Sequence, residues 1–162
     1  MRAIRLNHVS IRAVDLAESV QFYCDLFGME KIPTPYFGAP LQWLRLGDLQ
    51  LHLFQRDTPT PQFEHIALEV DDFEAVYRKA QELGIFDRRR HGHHLFELPS
   101  GCVQLYLSDP AGNLLEIVWP DVTTLDRTVI ADLVRRTDRF PQSDEGQRAT
   151  LFLTPRAPAP VP

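Results

Sequence analysis

Three side chains in this sequence are of the kinds that hold a transition metal, and an internal repeat sets them in correspondence: His8, His65 and Glu116. An offset of 57 residues superimposes His8 on His65, Val9 on Ile66, Ile11 on Leu68, Asp15 on Asp72, Leu16 on Phe73 and Leu26 on Leu83. A shift of 64, which an insertion in the second half would produce, puts Leu51 on Leu115, His52 on Glu116 and Leu53 on Ile117. Amphipathic leucines match one another cheaply, so the weight lies on the histidine and acid coincidences. Two imidazoles and a carboxylate with open positions suit Fe, Mn, Ni, Co or Zn and ill suit Ca or Mg, which prefer all-oxygen shells. The implied cofactor is one divalent transition metal, with His8, His65 and Glu116 as ligands. His52 is either a fourth ligand, a support behind the ligands or a substrate contact. A single histidine on a strand is more often structural; the metal reading rests on all three together, since an unpaired Glu in a dry cleft is costly.

The elements that must position these residues follow from hydrophobic period. Residues 6–14 alternate, with Val9, Ile11 and Ala13 on one face and His8, Ser10 and Arg12 on the other, which predicts a half-buried strand. Asp15, with Glu18 three residues on, opens a helix through Leu16, Val20, Tyr23, Leu26 and Phe27 that Gly28 closes. A loop with Pro33, Pro35 and Pro40 leads to a hairpin, 41–46 and 49–54, whose leucines 49, 51 and 53 share a face opposite His52. After a linker at 57–62 the order begins again. A strand at 63–70 sets His65 and Glu69 against Ile66, Leu68 and Val70, and a cap at Asp71 or Asp72 opens a helix through Phe73, Val76, Tyr77, Ala80 and Leu83. Strands follow at 94–98 and 102–108 around Pro99-Ser100-Gly101, and at 113–119 after the turn Asp109-Pro110-Ala111-Gly112. The expected fold is α+β: two βαβββ modules, about 4–56 and 63–120, forming one domain over 1–120. Paired about a pseudo-twofold axis, they would form a curved, partly closed mixed sheet with a metal-binding cleft on its inner face. An extension at 121–162 is expected to carry one helix, 124–136, and a tail with Pro155, Pro158, Pro160 and Pro162.

Bulk composition narrows the classes of function. The 162 residues, 44% hydrophobic, suffice for one compact core. A net charge of −5 without a dense Lys/Arg cluster argues against nucleic acid, and Arg88–Arg90 reads as a solvated edge. No run of about 18 apolar residues exists to span a membrane, nor a signal-peptide pattern, so the expected location is cytoplasmic. Cys24 and Cys102 lack any CxxC spacing, cannot form a disulfide framework and read as small core or half-buried residues. The histidines 91, 93 and 94 form a loop cluster of which at least one is expected to line the cleft mouth.

Four stretches carry a resemblance over about residues 4–120: Leu6-Asn7-His8-Val9-Ser10-Ile11; Asp15 and Leu16 with Ser19, Phe22 and Tyr23; Phe63-Glu64-His65-Ile66-Ala67-Leu68; and Tyr106 through Asp109-Pro110-Ala111-Gly112-Asn113 to Glu116. The sequence resembles the vicinal-oxygen-chelate superfamily of glyoxalases, bleomycin-resistance proteins, extradiol dioxygenases and fosfomycin-resistance thiol transferases. The resemblance implies paired βαβββ modules (a glyoxalase-like fold), a metal on His8, His65 and Glu116, a small-molecule substrate and a homodimer. Glyoxalases use Glu or Gln at the position matching His52, so the histidine is a departure. Extradiol dioxygenases share the Tyr106–Glu116 stretch, but their signature histidine lies nearer Tyr106 than His93 or His94 does.

Three functions are therefore open. The leading one is a metal-dependent lyase or isomerase of the glyoxalase kind acting on a small oxygen-bearing substrate. The alternatives are an Fe(II)- or Mn(II)-dependent extradiol ring-cleaving dioxygenase and a non-catalytic, resistance-type binding protein. Glu116, Tyr106 and His52 are the residues expected to act on substrate, Tyr106 by holding a substrate oxygen.

Overall fold

The computed structural model describes residues 6–152, which fall into two compact units. The first comprises residues up to Gln62 with the returning segment Ser108–Asn113. Its strand β1 (His8–Ala13) leads into helix α1 (Leu16–Phe27), followed by β2 (Glu30–Ile32), β3 (Leu41–Leu46) and β4 (Leu49–Gln55). The helix starts where expected because the Asp15 carboxylate accepts from the Glu18 backbone N–H at 2.9 Å, and ends at Gly28, whose φ of 62° is left-handed. The sheet order is β1-β4-β3-β2, with β1 parallel to β4 and the other pairs antiparallel. Ala13, Val20, Tyr23, Met29, Leu44, Leu51 and Leu53, with Ala111 of the returning segment, are its buried apolar residues.

The Asp-Pro-Ala-Gly turn belongs to this first unit. The buried Asp109 carboxylate accepts from the Tyr23 hydroxyl at 2.9 Å and from the backbone and side-chain nitrogens of Asn113, each at 2.7 Å. Asn113 also donates to the Arg12 carbonyl at 2.8 Å, while the Arg12 guanidinium reaches the carbonyls of Thr58 and Ala111. Gly112, at φ 80°, is the residue that lets the turn close.

The second unit comprises Phe63–Leu107 and the residues from Leu114 onward. Here β5 (His65–Glu69) leads to α2 (Phe73–Leu83), then β6 (Leu95–Glu97), β7 (Val103–Ser108) and β8 (Leu114–Trp119). Asp72, not Asp71, caps α2 by accepting from Ala75 N–H at 2.9 Å. Strand β9 (Val134–Arg135), helix α3 (Arg136–Arg139) and helix α4 (Asp144–Gln147) complete it. The sheet order is β5-β8-β7-β6-β9, with β5 parallel to β8 and β6 parallel to β9. Phe73, Tyr77 and Ala80 of α2 are buried, as are Leu105, Leu107, Leu115 and Ile117 of the sheet.

Both halves thus have the strand, helix, three-strand order, in two mixed sheets that do not close into a barrel. The helix expected at 124–136 is not formed. A 3-10 turn, Val122–Thr124, is followed by local turns in which Asp121 and Asp126 accept from the backbone N–H groups of Thr123 and Thr128, each at 2.8 Å. Those side chains offer the backbone an alternative to helix, and β9 then adds to the sheet edge. Arg88–Arg90 is also more than a solvated edge. Arg90 is 13% exposed and pairs with the buried Asp87, and Arg88 Nε reaches Nδ1 of His94 at 3.3 Å. The proline tail, with Pro155 to Pro162, lies outside the described residues. No described helix is long and apolar enough to cross a membrane.

Candidate metal centre

Parallel pairing of β5 with β8 aligns His65 with Leu114 and Ala67 with Glu116. Side chains two apart share a face, so His65 and Glu116 meet: Nε2 lies 3.1 Å from Oε2. His65 Nδ1 is 2.9 Å from the Phe63 carbonyl, which can only accept, so Nδ1 carries a proton, and in the neutral ring Nε2 keeps its lone pair beside the Glu116 carboxylate. Glu116 is only 3% exposed, and its other oxygen accepts from Gln104 Nε2 at 2.9 Å. A carboxylate facing an imidazole lone pair sets two acceptors against each other, an arrangement that needs a shared proton or a cation. Two ligands on one transition metal at about 2.1 Å stand roughly 3.0–3.4 Å apart, so the spacing and the donor set fit a metal. The fixed Nδ1–H and the Gln104 amide are the outer supports such ligands require.

Tyr106 stands beside this pair. It is buried, its ring meets the His65 ring edge-on at 6.3 Å, and its hydroxyl is pushed above its ordinary pKa by burial and then by the Glu116 charge, with Arg136 opposing. His91 lies with its ring centre 4.3 Å from that of Tyr106. Burial, then the charges of Arg136 and His65, lower its pKa, so the ring is neutral in neutral water. His91 is therefore the loop histidine that reaches the Glu116 face.

His93 and His94 serve another place. His94 is fully buried, stacked at 4.1 Å on Phe86, with Nε2 3.0 Å from an Asp132 oxygen. The other Asp132 oxygen accepts from Tyr77 at 2.8 Å, and the Asp132 carbonyl lies 2.7 Å from His93 Nε2. Two histidines and an aspartate within 4.8 Å are a formally possible cation set. Arg88 donating to Nδ1 of His94 leaves the proton on Nε2, which lies near Asp132 without the alignment of a hydrogen bond, and it is the Tyr77 and His93 bonds to Asp132 that tie the 128–132 turns to α2.

In the first unit, His8 and His52 come together. Their rings stack at 4.3 Å with 14° between planes, and Trp43 stacks on the other side of His52 at 4.3 Å and 8°. The register pairing Trp43 with His52 produces this column. In-plane lone pairs of nearly parallel rings do not converge on one ion, and His52 Nε2 is 2.9 Å from Gln50 Oε1, so the stack gives His52 a packing role beside His8. Gln104, Asp132 and Arg136 escape sequence reasoning. An alternating strand pattern would have marked Gln104 as the polar residue on the Tyr106 face, and nothing in the sequence marks the other two.

Among solved structures, lactoylglutathione lyase from Agrobacterium tumefaciens is 23% identical with a TM-score of 0.58, covering 72% of this chain and 94% of its own. A glyoxalase family protein from Bacillus anthracis is 24% identical at TM-score 0.56, covering 73% and 98%. A variant of the fosfomycin resistance protein FosX from Listeria monocytogenes, complexed with Mn(II) and 1S,2S-dihydroxypropylphosphonic acid, is 15% identical at TM-score 0.57, covering 72% and 92%. These likenesses show the fold. The family model matches residues 5–117, a span that holds both βαβββ modules, His8, His65 and Glu116, and the chain accordingly belongs to the Glyoxalase/Bleomycin resistance protein/Dioxygenase superfamily.

Proposed function

We propose that the chain is a divalent-metal-dependent lyase or isomerase of the glyoxalase kind, acting on a small substrate with neighbouring oxygens. The observation that carries this reading is the buried Glu116 oxygen 3.1 Å from His65 Nε2, with the outer atoms of both side chains already held. His65 and Glu116 would hold the metal, and His8 joins the proposed ligand set on the sequence repeat and the family membership. When bound, the metal supplies Lewis-acid polarisation of the substrate oxygens. Tyr106, kept protonated by burial and by Glu116, donates a hydrogen bond to a substrate oxygen. The neutral His91 ring accepts a proton at nitrogen and returns it, as isomerisation beside a carbonyl requires. His52 orients His8 by stacking. A homodimer is part of the proposal and is read by light scattering.

The neutral His91 ring beside Tyr106 also suits a second reading, an Fe(II) or Mn(II) ring-cleaving dioxygenase, in which it would take the proton of a bound catechol. The test is elemental analysis of untagged protein against a His8→Ala/His65→Ala double variant. Close to one equivalent of metal, lost in the variant, is expected. Activity with Ni, Co or Zn then supports the lyase or isomerase, while oxygen uptake with Fe or Mn replaces it by the dioxygenase. Failure to take up any metal on reconstitution rejects both and leaves a binding protein.

A further inference from the structure

Beyond residue 117 the chain no longer matches the family model, yet it adds a cation to the Glu116 face. Strand β9 pairs with β6, aligning Val134 with Phe96 and Arg135 with Glu97. Val134 packs against Phe96, Tyr106 and Leu114, which pins the segment to the sheet. The arginines here part company. Arg135 and Arg127 both turn to Glu97, at 3.3 and 3.9 Å. Arg136 lies instead with its guanidinium carbon 3.5 Å from the centre of the Phe96 ring, near enough to the Tyr106 hydroxyl for its charge to act on it. Among the described residues it makes no ion pair, and Arg139, 5.3 Å from the same ring, adds a second positive charge without an acidic partner. A half-buried guanidinium over an aromatic face has lost hydration without gaining an anion, and its donors form the fork that fits a planar carboxylate.

We propose that Arg136 forms a receptor for a carboxylate of the substrate, beside Tyr106 and the His65–Glu116 pair. The inference rests on the metal reading above and deepens it: the substrate carries neighbouring oxygens for the metal and a carboxylate further along for Arg136. The guanidinium stacked on Phe96 presents a planar fork, which matches the shape of a carboxylate.

Malate and lactate share a 2-hydroxycarboxylate, and malate alone carries a second carboxylate, so the pair isolates the receptor. In calorimetric titrations of the Mn(II)-loaded full chain, malate is expected to bind about 10- to 100-fold more tightly than lactate, the range of a charge-assisted hydrogen-bonded pair. Arg136→Gln is expected to bring that ratio near one with Mn(II) affinity unchanged, and Arg136→Lys to keep part of it, since the charge stays but the fork is lost. A wild-type ratio near one, or a folded Arg136→Gln protein that keeps the full ratio, overturns the proposal and leaves Arg136 as a brace on Phe96. In metal-free, nitrogen-15-labelled protein the Arg136 Nε–H resonance, identified by its loss in Arg136→Lys, is expected to shift on adding malate. No shift also overturns the receptor. Failure of the metal reading looks different: no Mn(II) uptake by the wild type, with the malate-induced shift intact.

Discussion

Replacing Glu116 by Gln separates metal binding from folding. The amide can keep its oxygen on Gln104 Nε2 and turn its nitrogen toward His65 Nε2, so the 2.9 Å hydrogen bond survives and the 3.1 Å contact between acceptors becomes a donor–acceptor bond. The stability of the metal-free protein is therefore expected to change by no more than about 1 kcal/mol in a urea titration. Glu116→Ala is different, since it leaves the Gln104 amide unpaired in a buried place at a cost of about 1–3 kcal/mol. For the metal, structural sites with four ligands bind with about 10–16 kcal/mol, so one charged ligand is worth about 3 kcal/mol. That corresponds to a loss of roughly 100-fold in affinity. Competition with a chelator for Mn(II), at fixed pH, reads the loss directly. A folded Glu116→Gln protein whose Mn(II) affinity stays within threefold of wild type refutes the assignment of Glu116 as a ligand.

Three further outcomes follow from contacts elsewhere in the two units. His94, lowered to about 4 chiefly by burial with Asp132 opposing, is neutral in the folded state and titrates near 6.5 when unfolded. Its contribution is complete above about pH 6.5 and falls away toward pH 4, on the order of 1–3 kcal/mol; denaturation at pH 7.5 and 4.5 should show this slope, reduced in His94→Phe, and an unchanged slope contradicts it. Tyr23→Phe removes one of the donors to buried Asp109 and should cost about 1–2 kcal/mol by thermal unfolding, with no loss meaning that the Asp109 turn is held by Asn113 alone. His52→Ala breaks the stack between His8 and Trp43 and should lower stability by about 1–2 kcal/mol while Mn(II) affinity stays within a few-fold; a 100-fold drop in affinity would make His52 a ligand after all.

The modules were legible because their signals are local. Alternation along β1, β4 and β5, aspartate caps at Asp15 and Asp72, and left-handed glycines at Gly28 and Gly84 act within a turn or two of chain. The pairing of His65 with Glu116 was legible for another reason: a repeat carries topology, and parallel β5 and β8 follow once each half has the same order of elements. Strand β2 was not legible, since three residues at a sheet edge beside prolines give no period to count. The 124–136 segment was misread because Leu125, Val129, Ile130 and Leu133 imitate helical spacing, whereas the intervening aspartates and threonines hold the backbone in turns. Hydrophobic period reports only which residues seek burial. It does not report which local hydrogen bonds compete for the backbone.

That misreading hides the part of the chain most specific to this protein. A continuous helix over 124–136 would spend Asp132 and Arg136 on separate turns of one cylinder. The turns with β9 instead send Asp132 to Tyr77 and His94 on α2's side of the sheet, and Arg136 to Phe96 and Tyr106 on the Glu116 side. Val134 packs with Phe96 and Tyr106, Arg135 turns to Glu97, and Arg136, the first residue of α3, lies over Phe96. The anchoring half of the extension is thus covalently two to four residues from the half that meets the ligand. Loosening Asp132 is expected to misplace Arg136 before it unfolds the modules, so Asp132→Ala should erode the malate-to-lactate ratio while Mn(II) affinity holds. A ratio that survives in Asp132→Ala would mean that β9 alone positions Arg136.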